Sequence, residues 1–133
     1  QGLRDGKRFI IIFRRMLTGN TVELGQAGDL ADGAMKRVVI GGQEILLARV
    51  KDKYYAIDNR CPHMGGDLSR GKLNGTVITC PRHFSQFDIV DGSVIRWTNY
   101  PGFMLSLAKM FKSPRPVQVY KVIQQGDRLT IEI

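Results

Sequence analysis

Both cysteines and both histidines of this 133-residue chain lie in two short stretches, Cys61-Pro62-His63 and Cys80-Pro81-Arg82-His83. A thiolate and a neutral imidazole are side chains that bind borderline and soft transition metals. Here they recur in matched order, Cys-x-His and then Cys-x-x-His, as a donor set for one metal centre. Structural zinc also uses two cysteines with two histidines, so zinc is the competing reading. Zinc pairs, however, usually join like with like, leaving about two to four residues between cysteines and about three to five between histidines.

Gly65-Gly66 follows the first pair, residues 80–87 read Cys-Pro-x-His-x-Ser-x-Phe, and Pro114-Arg115-Pro116 lies beyond. In these motifs the chain resembles the Rieske family over roughly residues 21 to 133. The resemblance implies one Rieske-type [2Fe–2S] cluster, with Cys61 and Cys80 on one iron and His63 and His83 on the other. A mixed pair with one intervening residue suits such a bridged two-iron core better than a single zinc ion.

The same resemblance implies a set of residues around the cluster: Gly65, Gly66, Arg82, Phe84, Ser85, Phe87 and Pro114. Gly65 and Gly66 would let the first loop bend tightly and bring amide N–H groups toward the sulfurs. Ser85 is placed like a serine that donates to a cluster sulfur in high-potential relatives, and Phe87 stands where those relatives have tyrosine. No cysteine is left for the loop-to-loop disulfide of respiratory Rieske proteins. The expectation is a midpoint near the bottom of the Rieske range of about −150 to +300 mV. Arg60, Arg70, Lys72 and Arg82 would favour the reduced, more negative state. Phe84 departs from the family, which has glycine after the second histidine. It is either strained at φ > 0 or, at an ordinary φ, a shield over the cluster.

Length predicts one domain. Residues 1–20 are expected to be a basic N-terminal extension and residues 21–133 the Rieske domain. The extension carries Phe9-Ile10-Ile11-Ile12-Phe13 between basic clusters and holds half of the net charge of +8. That charge suits an acidic redox partner. Nothing adds the recognition helix or aromatic platform that nucleic-acid binding needs. No apolar run approaches the ~20 residues that span a bilayer, and no secretory signal is visible. Two cysteines used as ligands leave none for a disulfide, so a soluble, cytoplasmic protein is expected.

Short runs rich in Val, Ile and Tyr between turn residues predict an all-β fold. It should be a small antiparallel β barrel or sandwich with an inserted cluster-binding lobe. Hairpin turns are expected at Gly41-Gly42, Lys51-Asp52-Lys53, Asn74-Gly75, Asp91-Gly92 and Gln125-Gly126-Asp127. A strand over 117–124 pairs with a last strand whose Leu129, Ile131 and Ile133 share one face. One short helix is predicted over 103–112, before the proline segment, and either packs on the sheet or docks a partner.

A Rieske oxygenase needs two further histidines for a mononuclear iron, and this chain has none to spare. The expected function is electron transfer rather than catalysis. A flavin-dependent reductase would donate one electron, and a terminal oxygenase or similar redox enzyme would accept it. The alternatives are a small Rieske subunit of a reductase complex, nitrite-reductase-like, and a redox sensor or structural metal module without turnover.

Overall fold

A computed structural model describes residues 21–97 and 114–132. The arm at 1–20 and the expected helix over 103–112 lie outside the described residues. The described chain forms eleven strands in three antiparallel sheets. They are β1 (Thr21–Gln26), β2 (Met35–Ile40), β3 (Gln43–Val50), β4 (Lys53–Asp58), β5 (Lys72–Asn74), β6 (Val77–Thr79), β7 (Gln86–Asp88), β8 (Val94–Arg96), β9 (Val119–Tyr120), β10 (Val122–Gln125) and β11 (Arg128–Glu132).

The sheet β2-β3-β4-β9 is the middle layer, because its central strand is buried on both faces. Ile45 and Leu47 of β3 join Leu24, Val38, Ala56, Leu129 and Ile131 in one core. Leu46 and Ala48, pointing the other way, join Ile57, Cys61, Leu68, Ile78, Cys80, Phe87, Ile89, Trp97 and Val117 in a second. A continuous apolar run is what a doubly covered strand requires. The sheet β1-β11-β10 closes the first core, and the lobe carrying β5-β6-β7-β8 closes the second. Both cysteines are thereby built into a hydrophobic core.

The β2–β3 hairpin closes with Ile40 opposite Gln43, and Gly41 and Gly42 both take positive φ (53° and 86°) in its two-residue turn. In β11, Leu129 and Ile131 are fully buried while Arg128 and Glu132 are exposed, the one-sided pattern expected. The strand expected over 117–124 is instead two. Val119–Tyr120 pairs with β4, and after Lys121 the chain changes sheets so that β10 pairs with β11. One segment must serve two layers, and it does so by breaking. Tyr120 also fixes where β4 ends: its hydroxyl donates to Asp58 Oδ1 (2.6 Å) and accepts from Gln43 Nε2 (2.6 Å). Burial first, then the Asp58 carboxylate, pushes the Tyr120 phenol up, so it remains a donor.

Candidate metal centre

The first ligand loop leaves β4 at Asn59, and its anchor is Asn59 itself, which is fully buried. The Asn59 N–H donates to the Glu44 carbonyl (3.0 Å), and its own carbonyl accepts from Leu68 N–H (2.9 Å). Its side-chain Nδ2 donates to Asp67 Oδ1 (2.8 Å) and Glu44 Oε1 (3.2 Å), while Oδ1 accepts from Ser69 N–H (2.9 Å). Asp67 Oδ1 accepts in addition from the Ser69 hydroxyl (2.6 Å). Burial opposes ionisation of Asp67, but the bonds from Ser69 and Asn59 win and hold its carboxyl below the usual range. Glu44 is flanked by Arg60 (3.3 Å) and Arg37 (3.5 Å). Asn59 and Asp67 had no role in the sequence reading. The available signal was Asp67-x-Ser69, the spacing of a side chain that bonds the backbone two residues on.

The two ligand loops share one backbone. Cys61 N–H donates to Gly66 O (2.8 Å) and Cys80 N–H to Ser85 O (2.8 Å), each five residues on. Gly65 N–H donates back to Cys61 O (2.7 Å) and Phe84 N–H to Cys80 O (3.1 Å), each from four residues on. Both of these fourth positions have positive φ, 75° at Gly65 and 61° at Phe84. The amides directed at the sulfurs match as well: those of His63 and Met64 for Cys61, those of Arg82 and His83 for Cys80. Such a run of amides is an anion nest. On the first loop the amides directed at the sulfur are those of the two residues before Gly65. The histidine comes two residues after Cys61 but three after Cys80. On equivalent backbones, His63 therefore corresponds to Arg82, and Met64 to His83.

Cys61 and Cys80 are both free, buried and hydrogen-bonded to each other. The Cys80 thiol is lowered to about 6, first by the bond from Cys61 and then by the amides of Arg82 and His83. The same bond, with burial, pushes Cys61 up. The His63 and His83 rings meet edge to face with centroids 5.1 Å apart. Across the loops, then, thiol meets thiol and imidazole meets imidazole. Among the described residues no three His, Cys, Asp or Glu side chains converge on a single-ion position. Thiol beside thiol and imidazole beside imidazole is the donor set that a Rieske-type two-iron cluster would take.

The other expected residues divide. Gly66 is buried, and a Cβ there would lie 2.7 Å from Cys80 Sγ, so it cradles the sulfur pair. Arg82 is exposed and reaches Met64 O (3.4 Å), tying one loop to the other. Ser85 is fully buried, but its hydroxyl donates to the Trp97 carbonyl. The hydroxyl thus has a main-chain partner on the strand side of the loop. Phe87 is fully buried against Trp97, with ring centroids 6.5 Å apart. Pro114 is exposed; from its segment Arg115 and Pro116 line a groove beside Arg60 and Pro62 of the first loop.

Phe84 adopts the strained alternative: φ is positive and the side chain is 48% exposed. Arg96, which the sequence did not single out, donates to its carbonyl through Nε and Nη2 (3.2 Å each). The left-handed conformation costs an L-residue roughly 1–2 kcal/mol, part of which glycine returns as unfolded-chain entropy. Phe84→Gly should therefore stabilise the protein by about 0.5–1 kcal/mol in urea denaturation. A destabilised variant would show that the phenyl contacts outweigh the strain.

The family model for the Rieske [2Fe-2S] domain matches residues 20–120. Over 79 residues the chain is 34% identical to the ferredoxin component of the naphthalene 1,2-dioxygenase/salicylate 5-hydroxylase systems of Ralstonia sp., covering 59% of this chain and 76% of that protein. The ferredoxin of carbazole 1,9a-dioxygenase from Nocardioides aromaticivorans IC177 has the same fold (TM-score 0.70, 23% identity, 86% of this chain and 98% of that one). A solved complex of reduced oxygenase and oxidized ferredoxin in carbazole 1,9a-dioxygenase matches with TM-score 0.68 and 25% identity, over 84% of this chain and 92% of that one. A duplicated thiolate-holding loop, donors in two pairs and a family match over most of its length lead to one conclusion: this chain belongs to the Rieske [2Fe–2S] domain family, with a Rieske-type [2Fe–2S] cluster as its cofactor.

Proposed function

We propose that this chain is a one-electron carrier between a flavin-dependent reductase and a terminal oxygenase or similar redox enzyme. Cys61 and Cys80 would hold one iron, and His63 and His83 the other. When bound, the cluster supplies a single-electron couple biased toward the imidazole end. The observation that supports this most is the pairing of thiol with thiol and imidazole with imidazole across two loops of one backbone.

The chain's own residues then do three things. Buried amides solvate the thiolates in place of water, and the second core keeps water away from them. Arg82, Arg60 and Arg96 hold the loop carbonyls of Met64, Gly65 and Phe84. The surface around the loops is basic and partly apolar, with Met64 and Phe84 exposed, which suits an acidic redox protein. The carrier domain comprises residues 21–133, with 1–20 as an extension. Among the described residues no helix is long and apolar enough to cross a membrane. The two free cysteines suit the cytoplasm, which cell fractionation checks.

Phe87 offers no O–H to a sulfur and no cysteine is left for a loop-to-loop disulfide, so the midpoint should fall near the bottom of the range of about −150 to +300 mV. Spectroelectrochemical titration measures it, and a value well above zero would refute the argument. The test of the function is an electron paramagnetic resonance spectrum before and after dithionite, with iron counted on the same anaerobic sample. A silent oxidised state, a rhombic signal of low average g on reduction and two irons per chain are expected. Zinc without iron would leave a structural module in place of a carrier.

A further inference from the structure

The two ligand loops issue from different parts of the fold. The first follows β4 of the middle sheet, and the second joins β6 to β7 in the lobe. At the opposite end of β7, the Asp91-Gly92 turn meets residues 117–119, which lie between it and β4. Val117 N–H donates to the Gly92 carbonyl (3.0 Å), Asp58 N–H donates to the Gln118 carbonyl (2.9 Å), and Val119 stands opposite Ile57. These three residues thus bridge the lobe to the end of β4, one residue before the Asn59 anchor. The approach is close: a Cβ on the buried Gly92 would lie 2.2 Å from the Val117 carbonyl oxygen and 3.1 Å from Val119 Cγ1. Both sides of the nearer contact are main chain, so neither can swing aside. The turn is also braced, with Gly92 N–H donating to Asp88 O (2.7 Å), Asp88 N–H to Ser93 O (2.9 Å) and Ser93 N–H to Asp91 Oδ1 (2.9 Å). Gly75, in another turn of the same lobe, has φ of 62° against 80° at Gly92, but nothing lies within 4 Å of its Cβ position. A turn that needs positive φ explains Gly75; at Gly92 the close backbone approach is a second requirement.

We propose that Gly92 is a positioning residue of the metal centre: by clasping residues 117–119, it sets where the lobe with the second ligand loop sits against the end of β4, from which the first loop starts. This rests on the ligand assignment above. Four donors from two loops must meet one cluster, so the loops must keep one spacing. The clasp acts on that spacing through main chain, from the end of β7 remote from Cys80 and His83, and needs no contact with the cluster. A side chain at position 92 must push the turn and residues 117–119 apart, because overpacking against backbone is not relieved by a change of rotamer.

The test compares iron-loaded Gly92→Ala, Gly92→Asn and Gly75→Ala with the wild type. Asparagine tolerates positive φ better than alanine but also carries a Cβ, so it separates the contact from the backbone cost of the turn. Both substitutions of Gly92 should speed the loss of iron to a chelator by at least about fivefold. Gly75→Ala should change it by less than about twofold. The g values of the reduced state report the geometry of the ligands rather than the stability of the fold. They should shift in both Gly92 variants and stay at wild-type values in Gly75→Ala. Hydrogen exchange at the Val117 amide should be at least about tenfold faster in the Gly92 variants. Should those variants not load iron, the wild type alone decides, because coupling is reciprocal: loading iron should slow exchange at Val117 by at least about fivefold. Wild-type behaviour in Gly92→Asn would show that the turn needs only a positive φ there, and a Val117 amide indifferent to iron would show that clasp and loops are uncoupled; either result overturns the proposal. Iron content and the paramagnetic signal of the wild type judge the ligand assignment separately, so failure of one is not mistaken for failure of the other.

Discussion

Gly66→Ala should leave the protein folded and unable to keep its iron. The added Cβ would lie 2.7 Å from Cys80 Sγ, with Arg82 Cδ at 3.3 Å and Cβ at 3.4 Å. The nearest atom is a proposed ligand, and Gly66 O also receives the Cys61 N–H, so neither loop can yield without moving a sulfur. Overpacking of this kind costs about 1–3 kcal/mol. Spent on a metal site, that is on the order of tenfold to a hundredfold in retention. Loss of iron to a chelator should accelerate by at least about tenfold, while urea unfolding of the iron-free protein shifts little. Gly65→Ala is the control. Its φ is 75°, but a Cβ there meets nothing nearer than Arg60 Nη1 at 3.7 Å, and Phe84 at the matching position already carries a side chain. Only the backbone cost of roughly 1–2 kcal/mol remains. Wild-type iron retention in Gly66→Ala would mean that the sulfur pair is not where the cluster binds.

Asn59→Ala should be the most destabilising substitution of a loop residue, by about 2–4 kcal/mol in denaturant melts. Truncation removes two donated bonds and one accepted bond in a fully buried site and leaves Asp67 and Glu44 short of a donor. The loss should appear with and without iron, unlike that of Gly66→Ala, because Asn59 ties the loop to β3 rather than to the sulfurs. Asn59→Asp should be no better, since a third carboxylate would face Glu44 and Asp67. The sign of the pH dependence follows from Asp67. Its pKa is depressed in the folded protein, so its contribution is present above the unfolded carboxylate pKa and is lost as pH falls through the folded value. The wild type should therefore lose loop stability in acid, and Asn59→Ala should show a shallower acid dependence. A loss for Asn59→Ala within about 0.5 kcal/mol of the wild type would show that water replaces the network.

The features legible in the sequence were those where one residue type has one use. Two Cys and two His in matched order marked the two loops that the fold brings together. Glycine pairs between apolar runs mark turns, and the alternation from Arg128 to Glu132 can only be one-sided burial. What stayed hidden depends on partners distant in sequence. Asn59 looks like any loop asparagine until Glu44, Asp67 and Ser69 surround it. The division of Val117–Gln124 needs knowledge of two sheets, not of one hairpin. The common backbone of the ligand loops was masked because their histidines are out of step. The contact of Ser85 with Trp97 stayed hidden because its partner is a main-chain carbonyl, which no side-chain pattern records.

That shared loop has a consequence for how such a centre can vary. Beyond the contact between the two cysteines and the nearby His83, what favours negative sulfur is main chain: the amides of the second and third residues after each cysteine, on a turn that the bond from the fourth residue closes. The imidazoles are carried at two different steps along the same track, two residues after Cys61 and three after Cys80. Thiolate chemistry is therefore written in chain geometry, and imidazole chemistry in residue identity. The two halves of the centre can drift independently, so the electron's outlet can be relocated while the sulfur anchorage stays fixed.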